Sequence, residues 1–209
     1  MEIPRERRMR EIVNVTSPSV DFGSNPAPDA EDEQQGELAE APEKRYLRAL
    51  QEREKALGAD HTLTLDTACS LGLFYSNHGK LAEAEKMYQW GLQGYEKTLG
   101  ADHTSTLNTV YNLGLLCMNQ GKLDEAQKMF RRALQGYEKV LAEFHTSTLD
   151  TVYNLALLYL KQRSPFQALP MYNQALEGYE IALGRDHLQS RRVRAVIGNI
   201  HHKICLLPW

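Results

Sequence analysis

The sequence predicts an all-α, right-handed superhelical solenoid built from antiparallel helix pairs in 42-residue repeats. Three observations predict it: a marker that recurs at constant spacing, apolar residues at helical intervals between markers, and a glycine break halfway along each repeat. Leu57-Gly58-Ala59-Asp60-His61 returns as Leu99-Gly100-Ala101-Asp102-His103. It returns degraded as Leu141-Ala142-Glu143-Phe144-His145, and again as Leu183-Gly184-Arg185-Asp186-His187. Every step is 42 residues, with no insertion. A fixed period of this size marks stacked units that cannot bury an apolar face singly.

Within a repeat, the first segment runs from Thr104 to Asn119. Its apolar face, Leu107, Val110, Leu113, Gly114 and Cys117, follows spacings of three and four, the signature of a helix. Gln120-Gly121-Lys122 interrupts the pattern, with glycine suited to a left-handed cap. The second segment, Leu123 to Leu141, carries Ala126, Phe130, Ala133, Leu134, Tyr137 and Leu141 on one face. No proline lies in either segment, and the helix–turn–helix reading extends over Leu57 to His187. Full repeats are therefore expected at 61–102, 103–144 and 145–186.

The ends do not fall on repeat boundaries. Gln35-Gly36-Glu37-Leu38-Ala39-Glu40-Ala41 echoes Gln120 to Ala126, and Tyr46-Leu47-Arg48-Ala49-Leu50 echoes Phe130 to Leu134, with one extra residue near Pro42. This gives a half repeat at 36–60. Upstream, Ser24-Asn25-Pro26-Ala27-Pro28 and the acidic run Asp29 to Glu33 predict a disordered segment over 1–35. A second half repeat is expected at 187–203, followed by an irregular tail at 204–209. Its helix carries Val193, Val196, Ile197 and Ile200 with no second helix to cover them. With apolar Leu206, Leu207 and Trp209 in the tail, that arrangement predicts self-association through the uncapped C-terminal repeat, unless the tail folds back as a cap.

The bulk numbers narrow the class. Hydrophobic residues make up 42% and charged residues 24%, as in folded globular chains. A formal charge of −3 gives no basis for nucleic-acid binding, and no apolar run reaches the length of a membrane span. The arginine-rich start is not followed by an apolar stretch, so no secretory signal is read. Three cysteines with no close pair read as reduced thiols, which points to the cytoplasm.

The motif residues resemble the tetratricopeptide repeat. Leu71-Gly72-x-x-Tyr75 leads to Ala84 and Tyr88; Leu113-Gly114-x-x-Cys117 to Ala126 and Phe130; Leu155-Ala156-x-x-Tyr159 to Ala168 and Tyr172. The small residues let helices approach, and the aromatic fills the space between them. The tryptophan of the signature is replaced by Ala68, Val110 and Val152. The period exceeds the usual length of about 34 by roughly two helical turns. Together with Leu-Gly-x-Asp-His between units, this resembles the kinesin light chain type of repeat. The wording Ala-Leu-x-Gly-Tyr-Glu-Lys also resembles long arrays in fungal proteins.

The resemblance implies that the first helices line a concave groove that takes extended peptides. On that stripe stand Asn108, Tyr111, Asn112, Leu115, Met118 and Asn119, then Asp150, Tyr153, Asn154, Leu157, Leu160 and Lys161. The earlier repeat contributes Asp66, Cys69, Ser70, Leu73, Ser76 and Asn77. Asparagine offers a donor and an acceptor to a peptide backbone, and tyrosine offers rigid contact area. Alternatively, Tyr111 and Tyr153 pack between neighbouring first helices. The family variant that grips a terminal carboxylate needs Lys or Arg here. Cys69, Tyr111, Tyr153, Leu73, Leu115 and Leu157 disfavour it.

No catalytic or cofactor constellation emerges. Asp60-His61, Asp102-His103 and Asp186-His187 recur with the architecture, which fits helix capping by Asp and Thr rather than a catalytic dyad. Phosphate loops, Gly-x-Ser-x-Gly and HExxH are absent from the sequence. Adjacent His201 and His202 point apart on a helix, and Arg191-Arg192-x-Arg194 reads as a solvated face. The expectation is a non-enzymatic protein-interaction scaffold without metal or cofactor, in one form a kinesin light chain-like adaptor. The alternative is a ligand-sensing or autoinhibitory segment of a nucleotide-switched signalling protein. Residues 1 to 35 show no heptad repeat of the kind that would dock a motor chain.

Overall fold

The computed structural model describes residues 41–205, with side chains to 202. The expectations for segment 1–35 and for Leu206 to Trp209 lie outside the described residues. Among the described residues eight helices follow one another: α1 (Pro42–Leu57), α2 (Thr62–Asn77), α3 (Leu81–Thr98), α4 (Thr104–Asn119), α5 (Leu123–Val140), α6 (Thr146–Lys161), α7 (Pro165–Leu183) and α8 (Leu188–Cys205). The pairs α2–α3, α4–α5 and α6–α7 pack most extensively, and each pair packs onto the next. First helices α2, α4 and α6 also touch one another in turn, whereas the second helices α3 and α5 meet through the long side chains of Arg132 and Glu96. The first helices therefore form the inner side of the stack.

Glycine and aromatic interlock within each pair, as the motif predicts. A Cβ on Gly72 would meet the Tyr88 ring at 3.1 Å, and one on Gly114 the Phe130 ring at 2.9 Å. One departure is in α7, which begins on Pro165 and contains Pro170. Proline fits the first helical position because that N–H is unpaired anyway. Pro170 is exposed and the helix runs through it. At the break before α7, Arg163 adopts φ 60° where Gly121 stands one repeat earlier.

The caps correct the sequence reading. Histidine, not aspartate or threonine, caps the first helices. Nδ1 of His61, His103, His145 and His187 accepts from the backbone N–H two residues on, at 3.1–3.3 Å. The aspartates instead tie turns to second helices: Asp60 pairs with Lys97, and Asp102 with Lys139 at 3.5 Å. These pairs are exposed and contribute little individually.

Between repeats, Gly58, Gly100 and Gly184 sit at φ 95°, 93° and 95°, a region that side-chain-bearing residues rarely enter. Their carbonyls accept the hydroxyls of Thr64 (2.9 Å), Thr106 (2.7 Å) and Ser190 (2.8 Å). The third turn has Ala142, which does not take positive φ. Its carbonyl accepts the His145 N–H at 2.9 Å, and the buried Thr148 hydroxyl is left without a partner. An unsatisfied buried hydroxyl costs about 1–3 kcal/mol, whereas glycine's extra chain entropy costs roughly 0.5–1. Ala142→Gly is therefore expected to raise the melting temperature, by up to about 2 kcal/mol of stability. A lower midpoint in a thermal scan would contradict this account of the turn.

Candidate functional site

The expected groove stripe divides into columns with different jobs. The outermost column holds each repeat together. Tyr95 donates to Asp66, Tyr137 to Asn108 at 2.5 Å, and Tyr179 to Asp150. Asn108 and Asp150 are thus committed to the second helix of their own repeat. The sequence carried a signal for this in the recurrent Gly94-Tyr95, Gly136-Tyr137 and Gly178-Tyr179, which the groove reading did not use.

Burial raises the Asp150 carboxyl above its ordinary 3.8, outweighing the lowering by the Tyr179 hydrogen bond. A raised carboxyl pKa means that the fold disfavours the ionised form. The penalty is absent below about pH 3.8 and is fully present above the folded-state value. Asparagine, as at position 108, keeps the acceptor and removes the ionisation. Asp150→Asn is expected to melt higher than the parent at pH 7, with the gap closing as pH falls toward 3.8. A pH series of thermal scans checks this; equal midpoints at pH 7 would contradict it.

Tyr111 and Tyr153 are buried, with ring centroids 5.7 Å from Phe130 and 5.3 Å from Tyr172. Both rings thus pack on the second helix of their own repeat rather than between neighbouring first helices, although the Tyr111 hydroxyl also meets Asn154 of the next first helix. Asn112 is buried as well, and Asn154 is fully enclosed at 0% exposure. The Asn154 amide donates to the Tyr111 hydroxyl at 2.7 Å and to the Asp150 carbonyl at 2.8 Å. This correction matters for function: Asn154 links successive first helices and has no free donor to give a peptide. Leu157 is likewise buried. Of the expected groove residues, Leu115 and Lys161 are half-buried and Asn119 is exposed. The earlier repeat adds half-buried Leu73 and exposed Asn77 in the same registers. The accessible inner surface is therefore an edge of the predicted stripe.

The C-terminal expectation also needs correction. Val193, Val196, Ile197 and Ile200 are buried in the same core as α6 and α7 side chains, so they offer no exposed apolar face. In the arginine cluster, Arg194 bonds Glu180 and the Arg185 carbonyl, while Arg191 and Arg192 are exposed. Among the described residues no group of His, Cys, Asp and Glu is placed to hold a metal ion. No helix there is long and apolar enough to cross a membrane.

Antiparallel pairs at constant period, interlocked through small residue and aromatic, define a helical-repeat scaffold. The tetratricopeptide repeat family model matches residues 32–97, 79–139 and 105–181, and the chain belongs to that family. No curated protein sequence matches the chain. Among solved structures, the chain is similar to a Podosopora anserina protein with nearly identical TPR-like repeats, described as a candidate kinesin light chain. The TM-score is 0.66 at 19% identity, covering 78% of this chain and 77% of that one. A variant of the same protein gives 0.67 at 20% identity, with the same coverage. BtubC (BKLC) from P. vanneervenii gives 0.63 at 19% identity, covering 78% of this chain and 68% of that one. At 19–20% identity these likenesses bear on the fold, a stack of tetratricopeptide-type helix pairs.

Proposed function

We propose that this chain holds an extended peptide segment of a partner protein along the inner edge of its first helices. The observation that carries this reading is the alignment of Asn77, Asn119 and Lys161 at one register of α2, α4 and α6, beside Leu73 and Leu115. Successive first helices touch, so these positions recur along the same side of the stack. Amide and ammonium groups suit a peptide backbone and its acidic side chains, and the leucines suit apolar anchors. The finer form is a kinesin light chain-like adaptor, supported by the type of the solved neighbours; co-purification with a kinesin heavy chain tests it.

A hydrogen bond is worth about 0.5–1.5 kcal/mol net, and one to a charged group about 1.5–3. Asn119→Ala plus Lys161→Ala is expected to weaken a captured partner at least about tenfold. Both side chains lie away from the core, so the melting temperature should hold. Unchanged affinity by calorimetry would move the binding surface elsewhere. Asn154→Ala is expected to act instead through stability, because it breaks a buried link.

A further inference from the structure

The third inter-repeat junction departs from its predecessor at several positions that converge in space. In the preceding junction Arg132 reaches Glu96 at 2.5 Å, and Asp102 pairs with Lys139. One repeat on, Glu96 becomes Glu138, but Arg132 becomes the shorter Gln174, Ala101 becomes Glu143, and Asp102 becomes Phe144. Glu138 has no ion pair among the described residues. A cleft of about 260 Å³ opens there, lined by Glu138, Glu143, Phe144, Thr148, Leu149, Val152 and Gln174. Thr148, 3% exposed, also lines it, and its own hydroxyl is buried without a partner.

We propose that this cleft is a binding site for an arginine side chain of a partner protein, distinct from the inner peptide row. The preceding repeat supplies the template: its own arginine spans the equivalent space to the equivalent glutamate. Here that space is open and carries two carboxylates. The guanidinium donates to Glu138 in the manner of Arg132, and Glu143 adds charge at the rim. The Phe144 ring, 40% exposed, offers a stacking face, while Leu149 and Val152 receive the aliphatic stem.

The test uses the full chain, isotopically labelled, titrated with N-acetyl-arginine amide and with its neutral isostere N-acetyl-citrulline amide. Saturable amide shifts at Thr148, Leu149 and Val152 are expected with the arginine probe and not with citrulline. Glu138→Gln is expected to weaken the response at least about tenfold, as loss of a charge-assisted pair does. Gln174→Arg, which restores the internal occupant at an exposed position, is expected to abolish it without lowering the melting temperature. The Asn119→Ala, Lys161→Ala variant should respond like the parent, which separates this site from the inner row. Equal shifts with citrulline, shifts only elsewhere, no shift at high concentration, or a full response in Gln174→Arg would overturn the proposal.

Discussion

Phe130→Ala is expected to remove about 3–5 kcal/mol of folding stability, the range for deleting a fully buried aromatic. Phe130 has 0% exposure and stands between α4 and α5, with its ring on Gly114 and tilted against Tyr111. Gly114 brings α4 close enough for the ring to fill the gap, so no neighbour can collapse into the space left behind. Tyr111 in turn anchors Asn154 of the next repeat, and loosening it weakens the link between α4 and α6. Domains of this size have roughly 5–15 kcal/mol in total, so the variant should be partly unfolded near physiological temperature. Denaturant titration followed by circular dichroism checks this. A loss below about 1 kcal/mol would mean that the helix faces do not pack as described.

The second large effect is a reversal of sign between two glycines. Alanine normally stabilises a helix over glycine by about 1 kcal/mol. Gly198 in α8 has nothing within 4 Å of a built Cβ, so Gly198→Ala should follow that rule. At Gly136 the Cβ would run into Leu107 Cδ2 and lie 2.7 Å from Cδ1. Leu107 is buried and has little room to swing away. Gly94 with Leu65, and Gly178 with Leu149, repeat the same close fit. Gly136→Ala should therefore destabilise by about 1–3 kcal/mol, the cost of overpacking. Adding Leu107→Ala should cost less than the sum of the single changes, because it removes the clash. Stabilisation at both glycines would show that the α4–α5 approach is looser than described.

Much of this fold was legible because repetition multiplies each signal. The α4 bounds follow directly from the apolar spacing of Thr104 to Asn119, and α5 ends one residue before the expected Leu141. The caps were misassigned because aspartate and threonine are the commoner N-caps, while here the histidine between them accepts the free N–H. Site residues were harder to read for a geometric reason. A first helix in a solenoid packs on its own partner and on the first helices before and after it. Periodicity alone therefore cannot say whether a polar residue faces a neighbour or a ligand. Asn154 shows the difficulty: its partner Tyr111 lies one repeat away. The degraded Ala142-Glu143-Phe144 marker was visible in the sequence. Its consequence, an orphaned Thr148 hydroxyl beside a glutamate without its arginine, required three dimensions.

Whether a partner lies along the inner row is decided by site-specific photo-crosslinking. A photoreactive amino acid is placed at Asn119 on α4, and in a separate variant at Lys128, exposed on the second helix α5. With the captured partner present, a crosslinked adduct is predicted from position 119 and not from 128. An adduct from 128 alone would contradict the inner-row reading and place the partner on the outer helices.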